Sequence, residues 1–436
     1  MTRAIKRTIV YLAGAALLVV VIDLSGIFRH PFEKDYFSKF SYPLDLPNFA
    51  SVVKRYGNNE PTAYDPINYR YANLTYLKTA NTDCNEEYRL IILVKSAPNN
   101  FRKRQAIRST WGYRKRFSDV PIKTVFMLGL IDEKENAVTP DYKSKIKDPI
   151  TLNEAINEES AKYGDLIQAD FIDSYYNNTY KTLMGMRWLV ETCKLYRYAF
   201  FADDDMYVSV KNLLKFFRHP TSYPEYWENQ KKIDKFIAEQ HYGDVAKKYK
   251  QNRNLRHAMK LPISSKNGKH IKSLQHDNVA LDEKSGKVKV WKNSPVDFDI
   301  DLDDDVTLYG GYVYFLPPYR HKLGSKWYLS LDEYPYSYLP PFVPAGAIAL
   351  SRSTVFDLYY ASLFTKHLRF DDVFIAICAK KMGIEPYHSE YFRLKPSYPV
   401  MDRDDIKLEY LITWHGFDDP DTLVRFWSAQ KSLGNA

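Results

Sequence analysis

Cysteine is scarce: Cys84, Cys193 and Cys378 are the three in 436 residues. So few exclude a disulfide-stapled scaffold and leave room for one intrachain bridge. No CxxC pair is present, which removes a cysteine-type metal site, and Cys193 and Cys378 fall in apolar helical patterns that predict a buried free thiol at each. Basic and aromatic residues are not interleaved as in a nucleic-acid module, so the net charge of +9 does not imply such a partner. The acidic run DFDIDLDDD at 297–305 lacks the glycine and terminal glutamate of an EF-hand loop and reads as solvated or lysine-paired. What is present is a globular composition, 45% hydrophobic, long enough for one large or two modest domains.

Arg3, Lys6 and Arg7 precede an apolar run from Thr8 to Ile22, which resumes from Leu24 to Phe28. The pattern predicts a cytosolic tail at 1–7, an uncleaved signal-anchor transmembrane helix at 8–28 and everything beyond it in the lumen. Two sequons, at Asn73 and Asn177, are usable in that compartment. Residues 29–85, rich in Pro, Asn and Tyr and without a sustained period, read as a stem before a body at 86–430.

Within the body, apolar runs of strand length at 89–94, 123–128, 166–171 and 197–202 alternate with helical patterns ending at Trp111, at 153–163 and from Thr179. That alternation predicts an α/β domain with a mainly parallel sheet. FFADDDMYV at 200–208 then sets Asp203, Asp204 and Asp205 at the carboxyl end of a strand, where ligands of open parallel sheets bind. Adjacent carboxylates repel unless a cation holds them ionised, and oxygen ligands suit Mg²⁺ or Mn²⁺. A solvated acidic turn capping the next helix is the alternative.

Seven segments in order carry a family resemblance: RKRQAIRSTWG (102–112), YGDLIQADFIDSYYNNTYKT (163–182), FFADDDMYV (200–208), SKWYLSLDEYP (325–335), LPPFVPAGAIALS (339–351), FDDVFIAICAKKMGI (370–384) and LITWHGFDDPDTLVRFW (411–427). In them the chain resembles the β1,3-glycosyltransferases with a galactosyltransferase-like catalytic domain, glycosyltransferase family 31. The resemblance implies a glycosyltransferase-A type nucleotide-binding fold and a single-pass Golgi membrane enzyme that moves a hexose or N-acetylhexosamine from a UDP-sugar to a glycan hydroxyl with inversion, forming a β1,3 linkage. It implies Mn²⁺ or Mg²⁺ at Asp205, Asp203 and His415, a base at Asp372 with Asp371 second, and donor contacts from Asp204 and Gly346. It also implies an acceptor on glycoprotein or glycolipid and allows association with itself or other glycosyltransferases.

Residue chemistry adds to this. Arg104 and Arg108, four apart, share a helix face and suit a diphosphate or, alternatively, local acids. Lys181 is a weaker donor candidate, and Trp327 suits a sugar face or a core. Asp371 and Asp372 also suit the first turn of a helix. Two departures stand out. Val343 to Ala347 replace a Cys and a Gly-rich run, and their methyls are expected to narrow access to the donor. An insertion at 219–305 is strongly basic, with 16 Lys and Arg against 6 Asp and Glu between Lys231 and Lys292. Such a patch suits a solvated face, anionic glycans or lipid. A catalytically silent relative that binds glycans or chaperones a partner is the alternative function.

Overall fold

The computed structural model describes residues 3–25, 31–38, 40–42, 46–80, 84, 87–113, 120–131, 151–225, 279–282, 287–290, 306–321, 325–394 and 408–436. Apolar β2 (Tyr88–Lys95), β3 (Ile122–Leu130), β4 (Leu166–Ile172) and β5 (Tyr196–Asp203) run parallel, as the continuous apolar stretches predict. The sheet is nonetheless mixed. Its eight strands follow the order β1-β4-β3-β2-β5-β10-β9-β11, with β1 (Tyr76–Lys78), β9 (Tyr309–Gly311), β10 (Ala347–Ser351) and β11 (Tyr387–His388) at the flanks. β1 is antiparallel to β4, and β10 is antiparallel to both β5 and β9. β11 is parallel to β9, so the expectation of a mainly parallel sheet holds for the centre and for the β9–β11 pair and fails at β1 and β10.

Alternation along β2 splits the core over two faces. Ile91 and Leu93 pack with Leu183, Leu358 and Ile375 from the helices Asn178–Glu191, Arg352–Leu363 and Asp371–Met382. Leu90, Ile92 and Val94 pack with Ile107, Ile156, Leu213 and Leu423 from the helices Phe101–Ser109, Leu152–Tyr163, Val210–Arg218 and Pro420–Ser432. A second sheet, β12-β13-β6, joins Phe392–Arg393 (β12), Thr413–His415 (β13) and Met206–Val208 (β6), so the strand after the aspartates pairs with the segment carrying His415. Of the 219–305 insertion, the described parts are 219–225, with the turn Pro220–Ser222, and the antiparallel pair Val279–Asp282 and Lys287–Val290; the rest, with the acidic run, lies outside the described residues.

Three expectations are corrected. Arg3–Ser25 is one helix with exposed apolar side chains, yet no helix among the described residues is long and apolar enough to cross a membrane, so the spanning helix expected at 8–28 is not found. Much of the expected stem is part of the body. Glu33 pairs with Arg320 at 2.8 Å, Lys34 bridges to Tyr336, and Tyr42, Phe49, Val53 and Tyr71 are buried. Finally, Cys193 is bonded to Cys84 across 109 residues, because the end of the Asn178–Glu191 helix lies beside the chain entering β2; Cys378 is the buried free thiol.

Candidate active site

Parallel register places Lys95 beside Asp203 at the carboxyl ends of β2 and β5. Lys95 Nζ lies 3.0 Å from Asp203 Oδ1 and 3.0 Å from Asp371 Oδ2, and Thr182 Oγ1 donates to the same Asp371 oxygen at 2.6 Å. Burial alone would lower the lysine pKa, but the charges of Asp203 and then Asp371 more than reverse this and raise it. Asp203 is raised, by burial first and by Asp205 against the pull of Lys95. Its side chain is 37% exposed, so solvent screens part of that shift. Asp203 N also donates to Gly346 O at 3.3 Å, and a Cβ on Gly346 would meet Asp203 Oδ2 at 2.9 Å. A side chain at this position would therefore crowd the Asp203 carboxylate.

Asp372 follows Asp371 into the first helical turn, and neither caps the helix; the cap residue is Phe370. Asp371 is buried and committed to Lys95 and Thr182, whereas half-buried Asp372 accepts from the Val373 N–H at 2.8 Å. Burial first, and the neighbouring Asp371 second, push the Asp372 carboxyl up to about 7. Two adjacent carboxyls are thus set apart, one fixed in the structure and one poised to exchange a proton near neutrality.

On the other side of Asp203, Phe417 N donates to Asp205 O at 2.8 Å, and β6–β13 pairing brings His415 Nε2 to 3.3 Å from Asp205 Oδ2. The hydrogen bond to Asp205 raises the His415 pKa. Burial pushes Asp205 up, but His415 and Lys103 outweigh it and hold the carboxyl low. Asp205 Oδ1 and His415 Nδ1 are buried without hydrogen-bond partners, a state that a buried acceptor tolerates poorly. No group of three His, Cys, Asp or Glu side chains is arranged to hold a metal among the described residues. The expected trio with Asp203 is not assembled, because Asp203 faces Lys95. The orphaned carboxylate oxygen of Asp205 beside an imidazole is a donor set that would suit a hard divalent ion.

Several predicted contacts are engaged inside the protein. Asp204 Oδ2 accepts from Ser96 Oγ at 2.7 Å and Asn100 Nδ2 at 2.8 Å, which ties the turn to the start of the Phe101–Ser109 helix. Ser209, not an aspartate, caps the next helix. Arg104 is fully buried, with its guanidinium on Glu159 (2.7 Å), Ala97 O (2.6 Å) and Pro98 O (3.0 Å). Arg108 pairs with Glu159 at 2.7 Å and Asp165 at 2.8 Å. The ion-pair alternative describes both arginines, and neither joins the Asp203–Asp372 group. Lys181 bridges Asp173 and Ser96 O at 2.7 and 2.9 Å. Val343, Ala345 and Ala347 are buried, so their methyls fill the core instead of narrowing the site. Asn73 is exposed, while the Asn177 amide donates to Ile172 O at 2.8 Å and its sequon partner Thr179 is buried.

Sequence reasoning missed Lys95 and Thr182. A lysine terminating a buried parallel strand was the available signal for the first. Thr182 stands inside the second motif, with no local feature to separate it from its packing residues.

The profile of the galactosyltransferase family matches residues 102–262 and 299–390. The chain is 30% identical over 424 residues to beta-1,3-galactosyltransferase brn of Drosophila melanogaster, covering 96% of this chain and 95% of that one. It is 27% identical over 344 residues to beta-1,3-galactosyltransferase 1 of Mus musculus, covering 79% and 74% of the two chains. It is 29% identical over 358 residues to lactosylceramide 1,3-N-acetyl-beta-D-glucosaminyltransferase B of Danio rerio, covering 81% and 68%.

Proposed function

Because the chain belongs to the galactosyltransferase family, we propose that it is an inverting, metal-dependent UDP-sugar transferase that forms β1,3 linkages on a glycan acceptor, with galactose, N-acetylglucosamine or N-acetylgalactosamine as the sugar moved. The observation that carries this is the Asp203–Lys95–Asp371 bridge, which joins the strand end bearing the acidic turn to the helix bearing Asp372.

Asp372 takes the proton from the acceptor hydroxyl as that oxygen attacks the anomeric carbon, and the bond from that carbon to the UDP oxygen breaks. A carboxyl near 7 suits a base at neutral pH. Asp205 and His415 would hold the divalent ion, which when bound stabilises the departing diphosphate as a Lewis acid. Asp203 faces the donor from beside Gly346, and Trp327 faces the acceptor. A Golgi location, with the body in the lumen and the helix Arg3–Ser25 associated with the membrane, belongs to the same proposal; its exposed apolar side chains support membrane association.

The test is UDP release by a fragment starting at residue 31, which retains the packed N-terminal segment, with Mn²⁺ and each UDP-sugar in turn. Turnover with one donor, lost in Asp205→Ala and in Asp372→Ala, is expected. Intact turnover in both variants would remove this mechanism. Mn²⁺-dependent UDP binding with no turnover across a glycan panel would favour the silent relative.

A further inference from the structure

Exposed apolar side chains gather where the N-terminal chain is fastened to the body. Phe37 is 69% exposed, Phe315 41% and Leu316 46%. Their backbones are laced to one segment, with Tyr36 N donating to Ser337 Oγ at 3.3 Å, Ser337 N to Lys34 O at 2.9 Å and Leu339 N to Leu316 O at 3.0 Å. The rings then pack side by side: Phe37 and Phe315 lie 6.0 Å apart between centroids, and Phe315 stacks on Tyr338 at 4.9 Å. Phe32 and Tyr319, also exposed, are each next in sequence to one member of the Glu33–Arg320 pair, and Arg320 Nη2 donates to Tyr336 O of the same segment at 3.0 Å. Clustered exposed rings mark a surface that meets a protein partner or a membrane.

The helix before them decides between the two. Arg3–Ser25 exposes Ile9, Val10, Tyr11 and Leu12, then Leu17 to Val21, consecutive positions that run round its whole circumference. A groove on a protein covers one side of such a helix, whereas a lipid phase covers all of it. Ser25 and the fastened residue Glu33 are close in sequence, so that phase lies near the patch. Charge at the rim is mixed: Lys34 and Asp35 are exposed neighbours, and exposed Lys380 has its Nζ 6.0 Å from the Tyr36 centroid. Mixed charge suits zwitterionic headgroups, where a basic cluster would select an anionic leaflet.

We propose that Phe32, Phe37, Phe315, Leu316 and Tyr319 seat the body on a zwitterionic lipid bilayer, which holds the catalytic domain in one orientation. The proposal rests on the membrane association proposed for the helix Arg3–Ser25 and goes beyond it by naming the face that touches lipid. Tyr36 and Tyr338 pack with Leu183 and Leu358, so this face is on the side of the sheet away from the helix Leu152–Tyr163.

The full-length protein in phosphatidylcholine vesicles, with and without a nitroxide-labelled phosphatidylcholine as quencher, tests this through single cysteines carrying a fluorophore. The free thiol Cys378 is buried, which directs the label to the introduced site. Phe37→Cys and Phe315→Cys report the patch, Val10→Cys the helix, and exposed Ala161→Cys the opposite face. Quenching of roughly half the emission is expected at Phe37, Phe315 and Val10, with little at Ala161. Adding Phe37→Asp and Leu316→Asp should abolish quenching of the label at Phe315 and leave that at Val10 unchanged; melting temperature checks that the variants fold. Patch quenching no greater than at Ala161, or unmoved by the two aspartates, overturns the docking face and leaves the helix on the membrane. So does a dimer in detergent that the two aspartates dissociate, which would make the patch a contact between copies. Patch quenching with none at Val10 would do the reverse, removing the helix from the membrane and leaving the docking face. None of these outcomes involves turnover, so a failed transferase reading is told apart from a failed docking face.

Discussion

Lys95 Nζ lies 3.0 Å from Asp371 Oδ2, joining the end of β2 to the first turn of the helix Asp371–Met382. Both side chains are almost wholly buried, at 5% and 8% exposure. Removing the ammonium leaves Asp371 and Asp203 without their shared counter-charge. Lys95→Ala is therefore expected to cost about 3 kcal/mol in urea unfolding, since breaking a buried pair strands the remaining charge. Loss of under about 0.5 kcal/mol, the usual size for a surface change, would contradict that account.

The raised Asp372 carboxyl makes two pH predictions. As a base it must be ionised, so kcat/KM for transfer should fall tenfold per unit as pH drops below about 7 and level off above it. A flat rate profile between pH 5 and 8 would remove Asp372 from the role. For stability, a raised folded-state pKa favours the protonated form. The contribution is complete below the unfolded value near 4 and is lost as pH rises through about 7. Asp372→Asn should thus gain stability relative to wild type between pH 5 and 8, on the order of 2 kcal/mol.

Gly346→Ala would bring a methyl to 2.9 Å from Asp203 Oδ2. Asp203 must then move away from Lys95, and a turnover loss of at least tenfold is expected with a stability change of about 1 kcal/mol. The two are separated by measuring UDP-sugar turnover beside thermal melting; unaltered turnover would show that this approach is slack.

Cys84→Ser should destabilise the body by about 3 kcal/mol, because the bridge closes a long loop between the entry to β2 and the end of the Asn178–Glu191 helix. Thermal melting of the oxidised protein with and without a strong reductant gives the same comparison. Equal midpoints would show that packing alone holds that junction.

The central strands were legible because each is an apolar run bounded by turn residues: 89–94 against the observed Tyr88–Lys95, and 166–171 against Leu166–Ile172. The edge strands were not. β1, β9 and β11 have two or three residues each, too short for a period to register, and β10 lies inside a segment whose prolines and alanines give no strand signal. Asp203, Asp205, Asp372 and His415 were singled out from motifs, yet that Asp203 meets Lys95 while Asp205 meets His415 is decided by register between β2 and β5 and between β6 and β13. Arg104 and Arg108 illustrate the converse. Their four-residue spacing was legible, but Glu159 and Asp165, more than fifty residues on, decide what they bind. Cys193 was misjudged because its partner lies in a segment without periodicity.

The docking of residues 31–42 against the 312–342 loops limits reach. Lys34 N donates to Pro335 O and Ser337 N to Lys34 O, so the chain is fastened to the body from about residue 33. Five residues separate Ser25 from Pro31, so the two cannot lie more than about 20 Å apart. Whatever surface holds the N-terminal helix therefore holds the catalytic body against itself. Acceptors would have to come within one protein diameter of that surface, and a glycan displayed far above it would lie beyond the enzyme's range.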